Sequence, residues 1–110
     1  MPGPVVTDEV HYRILKILET APDISQRDLA RSLGVSVGKA NYCLRALIAR
    51  GLIKANNFKN SRQKKAYVYY LTPHGIVEKT QLTARFLQRK MAEYEALRHE
   101  IESLQREVRG

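Results

Sequence analysis

The sequence predicts a mainly α-helical chain with one small β-hairpin, and three observations predict it. Apolar residues recur at helical spacing in three short segments punctuated by Pro22 and Gly34. Two strand-like runs follow Gly51, one on each side of a polar stretch. Thr72-Pro73 then opens a last helix that can run to about Arg109.

Each element has its own justification. Residues 1–7, MPGPVVT, read as a flexible arm. Val10, Ile14, Ile17 and Leu18 give the first helix its apolar side over residues 8–20, and Pro22 closes it. Ser25 can cap a second helix, where Asp28 favours the positive helix end and Ile24, Leu29, Ala30 and Leu33 form the apolar side. Gly34 stops that helix, and Ser36 caps a third that runs to about Arg50. The apolar set of the third helix is Ala40, Cys43, Leu44, Leu47 and Ile48, and Gly51 stands where a left-handed residue is wanted. Residues 52–55 read as a short strand, 56–65 as a polar turn and 66–72 as the pairing strand. Tyr67, Tyr69 and Tyr70 read as the packing that anchors this hairpin rather than as stacking platforms for bases.

The last helix divides in two. Ile76, Val77, Leu82 and Phe86 are apolar enough to pack on the domain body. From Leu87 a heptad register places Leu87, Tyr94, Ile101 and Val108 at a and Lys90, Leu97 and Leu104 at d. A helix over residues 87–108 spans about 33 Å at 1.5 Å per residue, more than a body this small can cover, so the seam expects a partner helix. Glu93, Glu100 and Glu107 fall at g and Met91, Arg98 and Gln105 at e. A parallel pair sets Glu93 against Arg98, whereas an antiparallel pair brings the glutamate rows together. The expected organisation is an arm over 1–7, a domain over 8–75 and a dimerisation helix over 76–110, with Leu87, Met91, Tyr94, Leu97, Ile101, Leu104 and Val108 at the dimer contact.

Charge narrows the function. The chain has 110 residues, enough for one modest core, and carries a formal net charge of +8. Residues 29–77 hold Arg31, Lys39, Arg45, Arg50, Lys54, Lys59, Arg62, Lys64 and Lys65 and no Asp or Glu, while residues 78–110 are nearly balanced. That field gathers polyanions at the middle of the chain. Nucleic acid is the first partner class and an anionic membrane surface the second. No apolar run approaches the roughly 20 residues of a membrane span. Asp8, Glu9, His11, Arg13 and Lys16 interrupt the place of a secretory apolar region, and the single Cys43 allows no internal disulfide. A cytoplasmic protein that does not engage the membrane is expected.

Counted from Gln26, the positions that must be apolar for two helices to cross are filled by Leu29, Leu33, Val35, Ala40 and Cys43. Ala30 stands at the closest approach and Gly34 at the turn, which is the pattern of a helix-turn-helix. In such a motif the third helix enters the major groove with its first turns and outward face. Those positions, with the start of the second helix, are Ser25, Gln26, Ser36, Val37, Gly38, Lys39, Asn41, Tyr42 and Arg45. Asn41 can pair with the N6/N7 edge of adenine, and Lys39 or Arg45 can reach guanine or phosphate. The run FKNSRQKK then reads as the tip of a wing: Lys59, Asn60, Ser61, Lys64 and Lys65 face the backbone, and Arg62 enters the minor groove.

The run VGKANYCLRALIARGLIKANNFKNSRQKKAYVYYLTPHGIVEK, followed by LTARFLQRKMAEYEALRHEIESL, resembles the small MarR-type winged-helix regulators that accompany exopolysaccharide biosynthesis loci. The resemblance implies a winged helix-turn-helix fold, double-stranded DNA as partner, operator contacts on the third helix and wing, and a homodimer built through terminal helices. Typical members have a further N-terminal helix, so dimerisation here is expected to rest mainly on the C-terminal coil. The shortened dimer region leaves no effector to assign.

Cys43 falls on an inward position and reads as a core thiol rather than an oxidant sensor. His11, His74 and His99 lack ligand spacing, so neither a metal nor a cofactor is expected. Without a phosphate loop, nucleophile elbow or acid/base pair, an enzyme is not expected. Two other readings fit the same face: a protein-interaction module whose coil recruits a partner, and an RNA-binding winged helix.

Overall fold

The computed structural model describes residues 7–60 and 63–110, with side chains described outside 57–66. The order of elements is α1 (Asp8–Thr20), α2 (Gln26–Leu33), α3 (Val37–Ala49), β1 (Ile53–Asn60), β2 (Gln63–Leu71) and α4 (Pro73–Arg109). The chain forms two compact units, Met1–Thr80 and Gln81–Gly110.

In the first unit the helix starts are set by side-chain oxygens that accept from otherwise unpaired backbone amides. Thr7 accepts from Val10 N at 3.2 Å, Ser25 from Asp28 N at 3.0 Å and Ser36 from Lys39 N at 3.1 Å. The stops of α2 and α3 repeat one device. Gly34 and Gly51 take φ of 71° and 74°, and the amides of Val35 and Leu52 reach back to Ala30 O and Leu47 O at 3.0 Å. A residue with a Cβ is strained at such angles, which is why glycine ends both helices. Arg13 of α1 supplies what α2 lacks at its far end: its guanidinium donates to Ser32 O at 2.6 Å and Leu33 O at 3.4 Å.

The core of this unit joins Ile14, Leu15 and Leu18 of α1 to Leu29, Ala30 and Leu33 of α2, Ala40, Cys43, Leu44 and Leu47 of α3, and Leu52, Ile53 and Tyr69 of the hairpin region. Leu15 and His11 are inside although the helical spacing of α1 did not single them out. Ile48, expected inside, is exposed, because the inward stripe of α3 is already filled by Ala40, Cys43, Leu44 and Leu47.

The hairpin is longer than its sequence suggests. β1 and β2 pair antiparallel from Ile53↔Leu71 through Phe58↔Ala66 to Asn60↔Gln63, with a register shift between Phe58 and Asn60. Residues expected in a polar turn, among them Asn56 to Asn60 and Gln63 to Lys65, therefore belong to strands. The ladder opposite Tyr67 and Val68 holds Asn56 and Asn57 in extended backbone despite their turn preference. Of the three tyrosines only Tyr69 is buried; Tyr67 and Tyr70 are each nearly half exposed, so the anchor is one ring and not three. Tyr69 faces small Ala55 across the ladder, and its amide donates to Pro22 O at 2.9 Å.

Thr72 joins the hairpin to α4. Its amide donates to Leu52 O, its hydroxyl donates to Gly51 O, and the same hydroxyl accepts from Gly75 N at 3.0 Å. Gly75 lies so near the Leu52 carbonyl that an added Cβ would collide with it. Lys79 and Glu19 pair at 2.9 Å, tying the start of α4 to α1.

Ile76 and Val77, expected in the core, are both 55% exposed. Helical phase explains it: Gly75 is buried against the Leu52 carbonyl, and the next two residues, turned about 100° and 200° from it, point away from that contact. Leu82 is fully buried and Phe86 half-buried.

In the second unit, Leu87, Met91, Tyr94, Leu97, Ile101, Leu104 and Val108 are between 45% and 88% exposed in the single chain. Its charges pair along the helix: Arg98 binds Glu95 at 2.8 Å and Glu102 at 2.9 Å, and Lys90 binds Glu93 at 3.2 Å. These two carboxylates hold the Arg98 pKa above its ordinary value, Glu95 most strongly. Among the described residues no helix is long and apolar enough to cross a membrane.

Candidate nucleic-acid interface

The outward stripe of α3 is set by the inward one. With Ala40, Cys43, Leu44 and Leu47 buried, the helix presents Val37, Gly38, Lys39, Tyr42 and Arg45 to solvent and holds Asn41 half-buried beside them. Gly38, Asn41, Tyr42 and Arg45 follow at spacings of three, one and three, a single helical face. No carboxylate stands on it. Half-buried Gln26, at the start of α2, is in direct contact with Asn41, and Ser25 before it is exposed.

Chemistry differs along this face. The hydroxyls of Ser25 and Ser36 accept from their own helix amides, so each retains its hydrogen and one lone pair for other partners. Val37 offers an apolar contact of the kind a thymine methyl takes, and Gly38 keeps the backbone open, since an added Cβ would meet only Ser36 Oγ at 4.0 Å. The Asn41 amide donates from Nδ2 to Gln26 Oε1 at 3.2 Å, and Gln26 Nε2 donates to the Tyr69 hydroxyl at 3.1 Å. This polar chain crosses α3, α2 and β2. Asn41 and Gln26 read from the sequence as interface residues and Tyr69 only as hairpin packing, because residues 26 and 69 are 43 positions apart and no local pattern links them.

The wing residues divide by what is described. Lys59, Asn60, Lys64 and Lys65 have backbone in the two strands, but their side chains, with Ser61 and Arg62 altogether, lie outside the described residues. Lys54, on β1, is exposed.

Behind the interface Cys43 is almost fully buried, and burial raises its thiol pKa against a smaller opposing effect of Lys39. His11 is also buried; its Nδ1 lies 3.3 Å from Arg50, and its Nε2 has no hydrogen-bond partner among the described residues. Burial first, and the Arg50 cation second, lower the His11 pKa, with Asp8 and Glu78 opposing. Among the described residues no group of three or more His, Cys, Asp or Glu is placed to hold a metal ion.

Helix, turn, helix, two-stranded wing and closing helix are now in place. The fold is a winged helix-turn-helix. Residues 7–54 match the family model described as winged helix-turn-helix DNA-binding. No curated protein matches the sequence. Among solved structures, a MarR-family transcription regulator is 22% identical, with a TM-score of 0.64 over 78% of this chain and 56% of that one. MepR of S. aureus, solved as a DNA complex, is 20% identical, with a TM-score of 0.62 over 77% of this chain and 60% of its own. FabT of Streptococcus pneumoniae, also in complex with DNA, is 19% identical, with a TM-score of 0.58 over 76% and 57%. At these identities the likeness is one of winged-helix fold. This chain spans less than two thirds of the length of each of the three.

Proposed function

We propose that this winged helix is a DNA-binding transcriptional regulator that acts in the cytoplasm as a homodimer on an inverted-repeat operator, most simply as a repressor that blocks polymerase access. The observation that carries the reading is the acid-free outward stripe of α3, with Lys39, Asn41 and Arg45 on a helix whose other face is locked into the core. Cations there draw the duplex by counterion release, and Asn41 gives the face a group that distinguishes bases. The MepR and FabT complexes support this reading, since both share the fold and both are held on DNA. Lys59, Arg62, Lys64 and Lys65 extend the footprint to phosphates and the minor groove. Resemblance to the exopolysaccharide-associated regulators nominates exopolysaccharide biosynthesis genes as the target.

Dimerisation runs through the exposed seam of α4 from Leu87 to Val108. Shallow apolar grooves flank Tyr94, Leu97 and Ile101 and, one turn on, Leu104 and Val108, giving the seam knobs and recesses for a second helix. Two reading heads on a two-fold axis require half-sites about 34 Å apart, one duplex turn.

Selection of bound duplexes from a random library tests the whole reading. The expected result is a palindromic consensus with that spacing. Log affinity for it should fall with log salt by about 0.9 per phosphate neutralised. An unenriched library with a flat salt response would refute DNA binding, and enrichment of RNA hairpins over duplex would reassign the basic face.

A further inference from the structure

We infer that Tyr69 is a positioning residue for base recognition, acting through Gln26 to hold the Asn41 amide in place for DNA. The inference rests on the DNA-binding reading above and deepens it. Tyr69 sits in β2 with its ring buried, and its amide is held by Pro22 O at 2.9 Å. Its hydroxyl is therefore a fixed point at the inner end of the chain Tyr69–Gln26–Asn41, with links of 3.1 and 3.2 Å.

The chain holds one edge of the Asn41 amide and leaves the other to DNA. A terminal amide can turn over and exchange its oxygen for its nitrogen at little cost unless its partners differ. A phenol hydroxyl can donate or accept, so it can hold either end of the Gln26 amide; in the arrangement observed the Tyr69 oxygen accepts from Gln26 Nε2 and Gln26 Oε1 faces Asn41. In that arrangement Asn41 spends one N–H inward. It retains its other N–H and Oδ1, one donor and one acceptor. That pair is what adenine requires in the major groove, where N7 accepts and the N6 amino group donates. With the inner hydroxyl deleted, Gln26 loses the partner that holds its outer end, and the Asn41 amide loses the anchor behind it.

The chain also couples two elements that the winged helix uses separately. Tyr69 belongs to the strand that leads out of the wing, and Asn41 lies on the outward side of α3. Gln26, the first residue of α2, bridges them.

The test is duplex selection with the full chain, comparing wild type, Asn41→Ala, Tyr69→Phe and Gln26→Met. Asn41→Ala identifies the base pair at which its amide acts. Tyr69→Phe removes only the hydroxyl and keeps the buried ring. It should lower the preference for adenine at that base pair by roughly three- to tenfold, about the effect of one neutral hydrogen bond, while affinity for random duplex stays within about twofold. Gln26→Met, which interrupts the chain at its middle without depending on the Tyr69 site, should relax the same base pair. Retention of the wild-type preference in Tyr69→Phe overturns the inference and leaves DNA binding standing. A uniform loss at every base pair in both variants also overturns it, since a merely structural role would act that way. A wild-type library with no preferred base overturns both the inference and the reading beneath it.

Discussion

The outward stripe of α3 and the outward stripe of the C-terminal half of α4 are both exposed faces of regular helices, yet they are built from opposite materials. On α3 the exposed groups are Val37, Gly38, Lys39, Tyr42 and Arg45 with a half-buried amide at Asn41; on α4 they are Leu87, Met91, Tyr94, Leu97, Ile101, Leu104 and Val108. Water satisfies the first stripe, and only a charged or hydrogen-bonding surface improves on it. The second costs about 25 cal/mol for each Å² of apolar area left in water, and it is relieved only by another apolar surface. Exposure alone therefore says little; the chemistry of what is exposed separates a surface suited to a polyanion from one suited to a second helix.

The sharpest way to break this distinction is to place a charge in the α4 stripe. Ile101→Glu puts a carboxylate at a central a position, remote in sequence from every α3 residue named above. Sedimentation should show a monomer, and operator affinity should drop on the order of a hundredfold as the advantage of two linked reading heads is lost. Circular dichroism should still report the body helices. A variant that remains dimeric would mean that the apolar stripe serves something other than self-association.

Substituting Gly75 acts on the body instead. An added Cβ collides with the Leu52 carbonyl, and that carbonyl also accepts the Thr72 amide, so neither side can yield freely. Gly75→Ala should cost on the order of 1–3 kcal/mol, seen as a lower thermal midpoint, with self-association through the C-terminal half of α4 preserved. Gly38→Ala is the control on α3, where the new methyl group meets only Ser36 Oγ at 4.0 Å. It should keep or slightly raise stability, since alanine is the better helix former. Loss of self-association in Gly75→Ala would show that the two stripes depend on one another.

How much of this was legible in the sequence depended on the range of the interaction. Ser25, Gly34, Ser36, Gly51 and Thr72-Pro73 announce helix ends through chemistry confined to a few neighbours, and they end helices here. The crossing of α2 and α3 was legible for the same reason, since Ala30, Leu33, Ala40 and Cys43 obey a fixed spacing. Strand length was not, because Asn56 and Asn57 are held extended by a ladder to residues ten or more positions away. Ile76 and Val77 were misplaced because hydrophobicity alone does not give helical phase; the buried Gly75 beside them does. Arg13 on the α2 carbonyls and Tyr69 on Gln26 join residues whose relation exists only after folding. The α3 stripe was legible as a candidate site, while the wing side chains from Lys59 to Lys65 lie outside what the structure describes.

The smallest expected effect is a pH dependence that belongs to the body and not to the α4 stripe. His11 lies beneath the helices with Nδ1 facing Arg50 and Nε2 unpartnered among the described residues, and Asp8 and Glu78 offset the cation only in part. Its folded pKa lies below the ordinary 6.5, so between those two values the unfolded chain binds the proton that the folded one refuses. Stability is then complete above about pH 6.5 and falls as pH drops from there to the folded pKa, by at most about 1.4 kcal/mol per pH unit for one proton. Urea midpoints of the body should decline over that acid range. His11→Phe, which cannot titrate, should flatten the part of the decline due to this residue, and self-association at α4 should not follow His11 in either protein. An unchanged slope in His11→Phe would assign the acid sensitivity to other groups and remove the buried imidazole from the account.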